Sequence, residues 1–95
     1  QLKHFPIPTQ ISFDQDARNR RTIMEIITAD RPGLLAKVGK AFMECGIRLQ
    51  NAKIATLGAR AEDIFYITTR ENKPLDGDQQ AQLQTTLLRY IDLQG

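Results

Sequence analysis

Six consecutive residues, Asp30-Arg31-Pro32-Gly33-Leu34-Leu35, set a carboxylate, a guanidinium, Pro and Gly between two apolar runs. Pro is tolerated at a first helical position, where its missing N–H would lack a partner anyway. It also biases Arg31 away from helical backbone, so the spacing predicts a helix from Pro32. Asp30 is then placed to accept orphan N–H groups of the first turn. A side-chain-free Gly33 leaves N–H donors of Gly33, Leu34 and Leu35 at a strand-to-helix corner, which suits the carboxylate of a small metabolite. The same hexapeptide also reads as plain turn chemistry, because Pro-Gly punctuates many strand–helix junctions.

Other residues offer little chemistry. His4 is the only histidine and Cys45 the only cysteine, so Ser-His and Cys-His catalysis lack support. No Cys/His cluster has zinc spacing, and no GxxxxGK[ST] phosphate loop occurs. Glu62 and Asp63 are adjacent carboxylates, but neighbours on a strand face opposite ways. A joint acid–base role is disfavoured, and Arg60 or Lys53 are the expected ion-pair partners. Arg18, Arg20 and Arg21 make a small basic patch that reads as a solvated hairpin tip. The basic aromatic RNP1 signature of RNA-binding sheets is absent.

Elements must position the corner. Thr9, Ile11 and Phe13 alternate with polar residues, giving a strand over about 8–13. The polar run Asp14–Arg21 turns into a second strand over 22–28, forming a hairpin. Leu34, Leu35, Val38, Phe42 and Cys45 recur at helical spacing. Gly39 inside that helix costs about 1 kcal/mol against Ala, which suggests close packing, and Gly46 caps its end. Ile47–Leu57 reads as one long strand whose alternation changes phase near Gln50-Asn51, the mark of a bulge. Gly58-Ala59-Arg60 turns into a strand over 62–69. Asp76 and Gln79 have capping-box spacing ahead of a second helix lined by Leu83, Leu87, Tyr90 and Ile91.

The order is α+β, a ferredoxin-like βαββα(β) sandwich with an antiparallel sheet and two helices on one face. Its last strand is missing. Either the extra N-terminal strand takes that edge, antiparallel to 22–28, or residues 92–95 begin a strand. Residues 1–21 are read as edge strand and hairpin loop, and 22–95 as the domain proper. Ile23, Ile27, Ile64 and Tyr66 oppose Met24, Ile26, Phe65 and Ile67, so both sheet faces carry apolar residues. Two helices cover only one, which predicts a second copy or a neighbouring domain on the other.

With 95 residues, 41% hydrophobic and 25% charged, the chain suits one small globular domain. A net charge of +2 is too weak to argue for nucleic acid or a membrane surface. No apolar run approaches the roughly 20 residues of a membrane span, and no secretory signal is evident. The lone Cys45 points to a reducing, cytoplasmic setting and to a buried, inert thiol. The chain opens Gln1-Leu2-Lys3-His4 without Met and is expected to be a fragment.

The strand–DRPGLL–helix unit, with Phe42, Gly46, Ile47 and the strand around Ala52-Lys53-Ile54, resembles the ACT domain, a small-molecule-sensing module. More narrowly, LQNAKIATLG (49–58) and EDIFYIT (62–68) are similar to the last ACT domain of the bacterial protein-PII uridylyltransferase/uridylyl-removing family. Ile7–Phe13 resembles the segment preceding that domain. The resemblance implies a glutamine-responsive regulatory domain without catalytic residues. It implies a parent nucleotidyltransferase with a hydrolytic activity, using UTP and a divalent metal elsewhere. It also implies a ligand site between two copies. The corner side would be Asp30, Arg31, Gly33, Leu34 and Leu35; the strand side Gln50, Asn51, Ala52, Lys53 and Ile54. Glutamine would give its carboxylate to the helix-start N–H groups, its ammonium to Asp30 and its amide to Asn51. The alternative is a ligand-free docking or dimerisation module.

Overall fold

The computed structural model describes residues 7–93. Its strands are β1 (Gln10–Gln15), β2 (Thr22–Ala29), β3 (Ile47–Lys53), β4 (Thr56–Leu57) and β5 (Arg60–Thr69); its helices are α1 (Leu34–Cys45) and α2 (Gly77–Leu88). A π-helical turn, Arg89–Leu93, extends α2. The five-stranded sheet runs β1-β2-β5-β3, with β4 also on β5, and all pairs are antiparallel. This is the ferredoxin-like α+β arrangement. The N-terminal strand takes the vacant edge, pairing Ile11 with Ile26 and Phe13 with Met24. Thr9 Oγ1 anchors its approach, 2.7 Å from both Thr28 Oγ1 and Asp92 Oδ1. The other reading, a strand begun by residues 92–95, fails at Asp92 and Leu93, which are π-helical; residues 94–95 lie outside the described residues, as does His4.

Alternation sets the two faces. Met24 and Ile26 of β2 and Phe65 and Ile67 of β5 are buried under the helices, against Val38, Ala41 and Phe42 of α1 and Leu83 and Leu87 of α2. The Phe42 and Phe65 rings meet edge to face, with centroids 5.7 Å apart. On the other face Ile23, Ile27, Ile64 and Tyr66 are half-buried. There the Arg21 guanidinium lies 4.7 Å from the Tyr66 ring centroid and Lys53 Nζ 5.8 Å from it.

Several expectations need correction. β1 runs two residues later than 8–13, because Asp14 and Gln15 stay in register with Ile23 and Thr22. The hairpin loop closes instead on Asp16, whose Oδ1 accepts the Arg20 N–H at 2.8 Å. α1 starts at Leu34 rather than Pro32, because Gly33 has φ 82° and ψ 2°. Pro32-Gly33 forms the middle of a type II turn, closed by Leu34 N–H to the Arg31 carbonyl at 3.3 Å. A left-handed residue cannot continue into a helix, so Gly33 becomes the N-cap, and no side chain, Asp30 included, caps it.

Gly39 makes no close approach: a Cβ there would meet nothing within 4 Å. Leu35 is half exposed instead of buried, and Cys45 is partly exposed, its thiol 3.4 Å from Thr86 Oγ1. The long strand Ile47–Leu57 breaks at Ile54-Ala55 into β3 and β4. The bulge at Gln50 is present, as a register shift between Leu49 and Asn51. The capping box is also present, with Asp76 Oδ1 and Gln79 Oε1 each accepting the other's backbone N–H at 2.8 Å. No helix among the described residues is long and apolar enough to cross a membrane.

Candidate functional site

The corner between β2 and α1 is fixed from both sides. Asp30 donates its N–H to the Ala59 carbonyl at 2.9 Å, tying the corner to the β4–β5 turn. The type II turn consumes the Leu34 N–H, and Lys37 makes the first helical bond, to Gly33 at 3.0 Å. The N–H groups of Gly33, Leu35 and Ala36 therefore take no partner among the described residues. Arg31 adds a guanidinium whose Nε is buried without a hydrogen-bond partner. Such donors at a helix start attract an anion.

The opposite wall comes from the interrupted strand. Ile54 and Thr56 flank the break, and Ala61 and Asp63 of β5 lie beneath it. Ala55 cannot bond a strand carbonyl there with its N–H, and the Asp63 carboxylate accepts it at 3.2 Å. Corner and break enclose a cavity of about 230 Å³. At roughly 30 Å³ per water, that is the room of about eight waters. Asp63 is 2% exposed. Burial pushes its carboxyl above the usual range; the Ala55 N–H opposes this and the negative charge of Asp30 adds to it.

The ten candidate residues divide. Asp30, Arg31, Gly33, Leu34, Leu35 and Ile54 line this one cavity. Ala52 lines a neighbouring apolar groove of about 210 Å³ between α1 and β3, shared with Leu35, Gly39, Leu49 and Ile54. Gln50, at the bulge, donates from Nε2 to Thr68 Oγ1 at 3.4 Å and borders a hollow with Arg18, Arg20 and Arg21. Asn51 pairs with Tyr66, and its Oδ1 accepts the Ala52 N–H at 2.9 Å. Lys53 lies over Tyr66. Within one chain these last three stand apart from the corner.

Ala36, Thr56, Ala61 and Asp63 belong to the cavity and were not among the candidates. Asp63 had a readable signal: it shares strand parity with Ala61, Phe65 and Ile67, so a carboxylate there must face the core. Glu62, on the other parity, pairs with Arg60 at 2.6 Å as expected. The lining thus offers a cation and free N–H groups at the corner and two carboxylates, Asp30 and Asp63, beside them. A zwitterion has the matching charges.

No protein-family model matches the chain. It is similar to proteins named bifunctional uridylyltransferase/uridylyl-removing enzyme: 55% identical over 92 residues in Methylococcus capsulatus, 50% over 92 in Pseudomonas entomophila and 47% over 94 in Pseudomonas syringae pv. tomato. These matches take in 96–98% of this chain and 10% of each relative. The chain spans about a tenth of the length of the curated relatives it matches.

Proposed function

We propose that this chain is the glutamine-responsive regulatory segment of a bifunctional uridylyltransferase/uridylyl-removing enzyme, an ACT-type domain whose ligand reports nitrogen supply. Residues 22–95 form the sensing unit, and the segment before them supplies its edge strand. The observation that carries this reading is the cavity where Arg31 and the free N–H groups of Gly33, Leu35 and Ala36 share walls with Asp30. An α-amino acid presents a carboxylate to the first set and an ammonium to the second. Identity of 47–55% to segments of the named enzymes supports the choice of parent.

The chemistry of uridylyl transfer and removal belongs to other parts of such a parent. The divalent metal and UTP that the parent would use are assigned to those parts. The work of this segment is binding. A ligand shifts a domain equilibrium only by its differential affinity for the two arrangements. A second domain across the groove supplies that difference, because Leu35 and Ile54 border cavity and groove alike. The expected neighbour is a second ACT domain or another copy, packed beside α1 and the edge strand β3. Asn51, on that edge strand, is then free to recognise a side-chain amide at a partner's corner.

A second reading is favoured by one observation. Leu35, Leu49 and Ile54 are each about half exposed around the groove (50%, 51% and 51%), which fits a docking module that needs no ligand. Glutamine-dependence of uridylyl transfer by the full-length protein separates the two. Sensing predicts that glutamine changes the wild-type rate and that Asp30→Ala weakens the response. An Asp30→Ala enzyme with a normal response favours docking.

A further inference from the structure

Three features lie outside the site as first drawn: the arginine hollow at the β1–β2 hairpin, the latch of Glu44 on Arg89 and Tyr90, and the buried carboxylate of Asp63. In the hollow, Arg21 is engaged by Asp16 at 3.2 Å. Tyr90 donates to Glu44 at 2.9 Å, closing α1 on the chain end. Both have structural partners and no sign of a ligand. Asp63 differs.

We propose that Asp63 is the residue that recognises the ligand's ammonium group, with Asp30 as its secondary partner; the inference rests on the amino-acid-sensing reading above. Asp63 is a charged side chain in a core-facing position, 2% exposed and without a basic partner in any ion pair of the described residues. One oxygen takes the Ala55 N–H at 3.2 Å, and the side chain lines the cavity. A buried carboxylate that keeps a single backbone bond has unused acceptor capacity. An ammonium is the complement, and water exclusion strengthens the pair.

Position separates it from Asp30. Asp30 is exposed at the corner, where solvent competes for its charge. Asp63 lies on β5, opposite Ile26 of β2, at the base of the cavity. The ligand's carboxylate would face Arg31 and the helix start, and its ammonium would sit deeper. The charged groups lining the cavity are Asp30, Arg31 and Asp63; α1 and β4 contribute only Leu34, Leu35, Ala36 and Thr56. Two neighbouring carboxylates are mutually repulsive until a cation comes between them.

The variant Asp63→Asn preserves the acceptor for Ala55 N–H and removes the charge. Binding is measured by calorimetry on the full-length protein with two probes, glutamine and its deaminated analogue glutaramate. Wild type is expected to prefer glutamine at least tenfold, and Asp63→Asn to lose that preference with an unchanged melting temperature or a higher one. Asp30→Asn keeps part of it. A second test uses wild type alone: its glutamine affinity falls as pH drops through the raised titration of Asp63, whereas glutaramate affinity does not. Undiminished preference in Asp63→Asn, or parallel pH profiles for the two probes, overturns the inference and leaves amino-acid sensing standing. A wild type that binds neither probe overturns the sensing reading and this inference together.

Discussion

The Asp63 carboxylate accepts the Ala55 N–H at 3.2 Å across the break between β3 and β4. A side chain of one strand thereby does what a strand carbonyl does elsewhere in the ladder. The break leaves Ile54 and Thr56 lining a cavity instead of continuing the edge. The same relationship buries a charge, and this makes the first prediction electrostatic. Burial raises the carboxyl's folded-state pKa above its ordinary 3.8, so between those values the native state binds more protons than the unfolded chain. Stability from this group is therefore present below pH 3.8 and lost as pH rises through the folded value. Asp63→Asn, which keeps the acceptor, should remove that loss. Denaturation midpoints at pH 4 and pH 7 should lie closer together in the variant, after allowing for Asp16 and Glu44. Those carboxyls are lowered, Asp16 chiefly by the Arg20 N–H and Glu44 chiefly by the Tyr90 hydroxyl. Their contributions have the opposite sign and disappear with acid.

Thr22 supplies the second prediction. Its buried hydroxyl accepts the Leu75 N–H at 2.8 Å, joining β2 to the approach of α2. Thr22→Val has nearly the same shape but leaves that N–H buried and unpaired. A loss of about 1–3 kcal/mol is expected in urea denaturation. Thr22→Ser, which keeps the oxygen, should lose less; equal losses would show that the methyl group matters more than the bond.

At the start of α2, Asp76 and Gln79 satisfy each other's N–H groups. Asp76→Ala removes the cap and should cost about 1 kcal/mol, or roughly 4–8 °C in Tm for a domain of this size. The change is remote from the corner, so ligand affinity should be unaltered.

Gly33 carries strain that other residues would feel. At φ 82° an alanine costs about 1–2 kcal/mol in left-handed backbone, although space for its Cβ is open. Gly33→Ala should therefore lower stability by that amount, with Gly33→Asn milder. A neutral Gly33→Ala would contradict the type II turn.

What was legible in the sequence follows from which interactions are local. Alternation in Thr22–Thr28 and Glu62–Thr69 is a period-2 signal, so both sheet faces could be read from it. Asp76 and Gln79 are three residues apart, and their reciprocal bonds follow from that spacing alone. The type II turn at Arg31–Leu34 was half legible. Pro-Gly indicates a turn, but whether Pro32 opens a helix or Gly33 goes left-handed depends on how the corner meets the β4–β5 turn through Asp30 and Ala59.

The break at Ile54-Ala55 was not legible from its own residues, since Ile and Ala suit a strand. The group that takes the Ala55 N–H at the break is Asp63, eight residues on. Leu35 illustrates the same limit from the other side. Its spacing fits the buried face of α1, yet the groove over it is uncovered and half of it is exposed. For the site, the corner was marked by pattern and Ile54 only through the family resemblance, while Asp63 needed its parity on β5 carried through to its consequence.

The central claim is that a zwitterionic amino acid occupies the cavity at this corner. Titration calorimetry of glutamine into the full-length protein, at up to tens of millimolar, tests it most directly, with Asp30→Ala and Asn51→Ala in parallel. The account predicts saturable binding to wild type that is weakened by Asp30→Ala, and also by Asn51→Ala where a second copy completes the site. Wild-type protein with no saturable heat, or binding indifferent to both substitutions, would contradict it.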